Sequence, residues 1–122
     1  MSEQGGAADR ALVALADELA VCVTRLQNAL ERADELRAAR ADGRSWRETV
    51  TAEERPLIVE RISEALDGLN RAGGRWRREE ARALREEGMS INAVAALFGV
   101  TRQRASVLVR DPGHGPPDAD GG

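Results

Sequence analysis

The sequence predicts an all-α protein: a long N-terminal helix, then a helical bundle ending in a C-terminal trio of helices. Three observations carry this. Ala, Leu, Arg and Glu dominate the 122 residues, and these side chains lose little freedom in a helix. β-Branched residues never alternate with polar ones over a strand-length window, so no sheet is expected. Apolar residues recur instead at intervals of three and four, the spacing of one helical face. A chain of this length supports one modest core.

Residues 1–6 read as a frayed, disordered start. Between Ala7 and Ala41 there is no Pro or Gly, and Leu12, Leu15, Leu19, Cys22, Leu26, Ala29, Ala33 and Leu36 form one stripe. Ala16, Val23 and Leu30 lie one residue beyond successive members and widen it. A narrow stripe suits a two-stranded coiled coil, a wider one a helix packed on two neighbours. Both readings stand: an ordinary bundle helix, or a helix that also joins two copies into a homodimer. Asp42-Gly43 ends this helix. Ser45-Trp46-Arg47-Glu48 has the form of a capping box and opens a short helix over 45–50.

Thr51-Ala52-Glu53-Glu54 repeats that form and predicts a helix over 52–72, kinked or restarted at Pro56. Its buried face would be Ile58, Ile62, Ala65, Leu66 and Leu69, and Gly73-Gly74 would close it. These elements make an N-terminal helical region, 7–72. A further region, 75–110, begins with a helix from Arg75 to Glu87 carrying Trp76, Ala81 and Leu84 inward, stopped by Gly88. Two short helices follow, Ser90–Leu97 and Thr101–Arg110. Residues 111–122 are Pro, Gly and Asp with few apolar side chains, and read as a disordered tail. Residues 38–46 echo residues 83–91: in each, a Gly is followed two residues later by a capping Ser and then a large apolar residue. Duplication of a half-motif and shared capping chemistry would both produce that echo.

Several function classes find no support. Cys22 is the only cysteine and sits in an apolar stripe; it has no partner within the chain for a disulfide, and no Cys/His cluster has metal-ligand spacing. His114 lies in the tail. Glu53-Glu54 fits a helix start, where the dipole favours carboxylates. No phosphate-binding glycine loop is present. Neither catalysis nor a cofactor is expected. Met1–Arg10 lacks the basic and apolar stretches of a secretory leader, and no apolar run approaches membrane-spanning length; the expected location is the cytoplasm. Trp46 and Trp76 read as core anchors rather than base-stacking platforms.

The formal net charge is −3, and all 18 basic residues are Arg. The charge is unevenly placed. Residues 71–110 hold nine Arg against four Glu, whereas residues 1–70 hold nine Arg against fourteen acidic residues. Only the last third can present a basic surface to phosphates. Arg75, Arg77, Arg78, Arg82 and Arg85 could grip flanking phosphates, but they are interleaved with Glu79, Glu80, Glu86 and Glu87, so ion pairs within their helix are the expected arrangement.

The most informative stretch is residues 88–110. Two short helices that cross steeply need apolar residues facing inward, a small residue at the crossing, a turn residue free to take positive φ, an apolar plug and a cap. Ile91, Val94 and Leu97 meet the first need and Ala95 the second. Gly99 and Val100 fit the turn, with Phe98 just before them, and Thr101 fits the cap. Ala105 and Leu108 return the buried side of the second helix.

This segment resembles the helix-turn-helix of resolvase/invertase-type recombinases and of the promoter-reading module of bacterial sigma factors. As a whole the chain is similar to small helix-turn-helix proteins of actinobacteria, in keeping with an Arg-rich, Lys-free composition. The resemblance covers about a fifth of the chain, and Ala105 stands where such families usually carry Val or Ile. It implies a tri-helical helix-turn-helix that binds double-stranded DNA, with Thr101, Arg102, Gln103, Ser106 and Val107 toward the major groove. Arg102 suits guanine, Gln103 adenine and Val107 a thymine methyl. Thr101, Arg104 and Arg110 suit phosphates. A transcriptional regulator in the nucleoid follows, or a nucleoid-architecture protein. One reading helix covers few base pairs, which implies a homodimer on paired half-sites or a larger partner. The rival reading is a protein–protein adaptor whose acidic first 70 residues engage RNA polymerase, a sigma factor or another regulator.

Overall fold

The structure, a computed structural model, describes residues 3–110. It is all-α, with no strand among the described residues. Five helices follow in order: α1 (Glu3–Ala41), α2 (Trp46–Thr51), α3 (Ile58–Glu86), α4 (Ile91–Phe98) and α5 (Arg102–Val109). They divide into two compact units, where one core was expected: residues 15–72, and residues 3–14 together with 73–110. The first turns of α1 thus belong with the C-terminal unit.

Three stops share one device. Gly43, Gly88 and Gly99 all take positive φ, at 89°, 103° and 68°, a conformation that costs glycine nothing. The chain then folds back: the amide of Arg44 donates to the Ala39 carbonyl, that of Met89 to Leu84, and that of Val100 to Ala95. These bonds satisfy carbonyls that a helix end leaves open. Two residues beyond each glycine a hydroxyl restarts a helix. Ser45, Ser90 and Thr101 accept from the amides of Glu48, Ala93 and Arg104 at 3.0–3.1 Å. At α2 the box is complete, since the Ser45 amide donates back to Glu48 Oε1 at 3.0 Å. The echo between 38–46 and 83–91 extends to a shared stop-and-cap geometry, and no second helix follows α2 directly.

Several expectations are corrected. Residues 3–6 are helical, so α1 starts before Ala7; Met1, Ser2 and the expected tail 111–122 lie outside the described residues. Thr51 ends α2 instead of opening a helix, its hydroxyl donating to the Arg47 carbonyl at 2.6 Å. α3 begins past Pro56, where Glu53 Oε2 accepts from the Ile58 amide and Glu60 Oε1 from the Leu57 amide, at 2.6 and 2.8 Å. Gly73-Gly74 does not close this helix, which runs unbroken to Glu86. Neither glycine takes positive φ, and Arg75-Trp76-Arg77 supplies no hydroxyl or carboxylate to cap a new start. Trp46 is exposed, its ring 4.5 Å beneath the Arg40 guanidinium, rather than a core anchor. Leu66 and Leu97 are also exposed.

Within residues 15–72, α1 and α3 are antiparallel neighbours. Glu18 lies over Gly68, its Oε2 3.1 Å from where a Cβ would stand, and Asn28 and Arg32 share a shallow pocket with Arg61. Cys22 and Ala29 of α1 and Ala65 of α3 are buried.

Two outcomes follow. Gly73→Ala removes backbone freedom from a helix interior with no atom within 4 Å of the new methyl, so it should raise stability to urea by about 1 kcal/mol; a loss would mean the helix breaks there. The bond from the Ser45 amide holds the Glu48 carboxyl below the usual carboxylate range. The box is therefore intact above that range and is lost as pH falls through the lowered value. Nuclear magnetic resonance of the Ser45 amide should report this acid transition, and Glu48→Gln should abolish it.

Candidate functional site

The C-terminal unit is built on very small side chains. Ala81 of α3, Val94 and Ala95 of α4, and Ala105 and Leu108 of α5 form one buried cluster. Leu84, Met89, Ile91, Phe98, Val100 and Val109 close around it, half-buried. Three alanines let three helices approach closely, so short α4 and α5 are seated without bulky interior residues. Ala95 and Ala105 take the inward positions that the spacing predicts. Leu97 does not: Ile91, Val94, Ala95 and Phe98 form the inward face of α4, and Leu97 lies off it.

Arginines of α3 hold this arrangement. The Arg82 Nε donates to the Val109 carbonyl at 3.2 Å, which ties the last turn of α5 to α3. Its Nη1 meets Glu79 at 3.4 Å, in a pair whose side chains are only 11% and 14% exposed. The Arg85 Nη1 donates to the Met89 carbonyl at 2.9 Å, steadying the loop before α4. Arg77 pairs with Glu80 at 3.6 Å and lays its guanidinium 4.3 Å over the Phe98 ring. Intrahelical ion pairs are thus present, as the interleaved charges predict. The links to Val109, Met89 and Phe98 were not legible, since periodicity says nothing of which carbonyl or ring a long side chain will reach.

On this base, α5 presents its other surface outward. Ala105 and Leu108 mark its inner line, and at 100° per residue Gln103, Val107 and Arg110 fall on the opposite side. Arg102 and Arg104 leave from the two flanks. Thr101, Arg102, Gln103, Arg104, Val107 and Arg110 are all exposed, whereas Ser106 is half-buried. The structure therefore brings the sequence-predicted site residues onto one short helix, with Ser106 the least available. Thr101 begins that helix by accepting from the Arg104 amide at 3.0 Å. The remaining unpaired amides of the first turn place partial positive charge beside Arg102 and Arg104. No acidic residue lies within α5. The surface can donate to anionic oxygens from guanidinium and amide groups, and Gln103 can both donate and accept.

Among the described residues, no group of three His, Cys, Asp or Glu side chains could hold a metal ion. No described helix is long and apolar enough to cross a membrane. The chain matches no protein-family model, no curated protein and no solved structure at a significant level.

Arg82→Ala should lower stability by about 2 kcal/mol, because it unties Val109 and leaves the Glu79 carboxylate without its partner. Hydrogen exchange should rise first in α5. Protection there equal to that of the parent chain would show that the Arg82–Val109 link contributes nothing.

Proposed function

We propose that this protein binds duplex DNA by inserting α5 into the major groove. The observation that carries the reading is the set Arg102, Gln103 and Arg104, exposed on the first turn of a capped helix whose opposite face is seated on a three-helix core. A helix-turn-helix needs its second helix free on one side and fixed on the other. Here the fixed side is Ala105 and Leu108, with Arg82 on the last turn.

Roles follow from chemistry. Arg102 offers a planar pair of donors to guanine, and Gln103 a donor and an acceptor to adenine. Val107 offers a methyl surface to thymine. Thr101, Arg104 and Arg110 contact phosphates, assisted by the amides at the helix start. Half-buried Ser106 contributes at most its hydroxyl edge. The surplus of positive charge in residues 71–110 favours approach to the phosphate backbone, while the acidic remainder limits non-specific adhesion. The reading involves no catalysis or cofactor, and it fits a transcriptional regulator in the cytoplasm of a bacterium, acting at the nucleoid.

Selection from random duplexes should enrich a short preferred sequence. Arg102→Ala with Gln103→Ala should abolish that preference while the fold persists by circular dichroism. Arg104→Ala should weaken binding to all sequences alike and lower the slope of log affinity against log salt by about one. Absence of any enriched sequence from the parent chain, or preference that survives the double change, overturns the assignment and favours the adaptor reading.

A further inference from the structure

Residues 15–72 leave an ordered apolar face exposed. Along α1, Ala16, Leu19, Val23, Leu26, Leu30 and Ala33 follow one another at intervals of three and four, the repeat of a coiled-coil seam. This seam does not coincide with the buried line of the helix. Cys22 and Ala29 are buried, while Val23 is 54% exposed and Leu30 63%. α3 repeats the pattern with Val59, Ile62, Leu66 and Leu69, of which Val59 is 68% exposed. On each helix the seam lies roughly a quarter-turn from the buried line, in the same rotational sense. Because the two helices are antiparallel, that shared sense carries both seams to one side of the pair. The other side is polar, with shallow pockets lined by Arg25, Asn28, Glu31, Arg32, Arg61 and Glu64.

We propose that this two-helix face is the interface of a homodimer, in which each copy contributes α1 and α3 of residues 15–72 to a four-helix assembly. Three features select a second copy over another partner. The repeat carries apolar residues in knob-and-hole spacing on both helices, so the face is complementary to itself, as a two-fold contact requires. Its borders carry few charges: Ala20 and Gln27 flank the α1 seam, Ser63 and Asn70 flank that of α3, and the one carboxylate there, Asp34, is paired with Arg37. Identical borders therefore meet with little repulsion, and an acidic region that recruited a basic partner would have placed unpaired carboxylates there. The seam ends where Arg37 enters the repeat, paired with Asp34 at 3.6 Å. A face about 25 Å long on α1 and about 15 Å long on α3, each roughly 10 Å wide, covers roughly 400 Å² in flat projection, about half the ~800 Å² per partner of standard-size interfaces before side-chain relief is counted.

The proposal is independent of the DNA reading, and its test contains no DNA. Light scattering of the full chain at micromolar concentrations should give twice the 13.2 kDa chain mass. Val23→Glu with Leu30→Glu should reduce it to one chain mass, with helix content preserved. Should that variant unfold, the milder Val23→Ala with Leu30→Ala should raise the dimer dissociation constant at least tenfold. Asn28→Ala, on the polar side, should leave the mass unchanged. A single-chain mass for the parent protein, or a dimer indifferent to the alanine pair, overturns the proposal.

Discussion

Close approach of helices through alanine is the constraint on which the C-terminal unit depends. With Ala81, Ala95 and Ala105 at its centre, the buried cluster has little apolar volume of its own. Its stability rests on the half-buried Leu84, Met89, Ile91, Phe98, Val100 and Val109 around it and on bonds at its margins. That is why three arginines of α3 reach past their own helix. Arg82 meets the end of α5, Arg85 the loop before α4, and Arg77 the face of Phe98. A larger interior residue would push α4 and α5 away from α3 and lengthen the contacts of Arg82 with Val109 and of Arg77 with Phe98. The small core and the long arginines are one solution to seating two eight-residue helices.

The same economy frees α5. A helix anchored through Ala105 and Leu108, with Val109 packed beside them and a link from Arg82 to its last turn, leaves Arg102, Gln103, Arg104 and Val107 exposed. Its charged and amide side chains cluster in the first turn, where the open backbone amides also point. Positive groups beside a helix start are unfavourable for the isolated helix. Placing Arg102 and Arg104 there gives up a little local stability and gathers donors at one end of the helix.

The N-terminal unit poses the complementary problem of too much apolar surface. α1 carries a stripe wider than one antiparallel neighbour can cover. Cys22 and Ala29 are enclosed, and Val23, Leu26 and Leu30 are not. The width was visible in the spacing, and it left open a bundle helix or a dimerising one. The structure separates the stripe into two edges and gives each a different role, the inner toward α3 and the outer toward solvent. α3 brings a matching outer edge, which no reading of α1 alone could anticipate.

What the sequence determined by itself was local. The helical class, the stops at Gly43, Gly88 and Gly99, the caps at Ser45, Ser90 and Thr101, and the inward places of Ala95, Ala105 and Leu108 all follow from short-range rules of backbone freedom, hydroxyl capping and helical period. The misreading at Gly73-Gly74 was also local: a glycine stops a helix here only when a capping residue follows it, and none does. Tertiary structure alone decided which apolar edges are covered, that Trp46 and Leu97 stay outside, that the start of α1 and residues 73–110 fall in one compact unit, and where the α3 arginines end. Each of these depends on what stands opposite a side chain in space, and spacing along one chain carries no record of that.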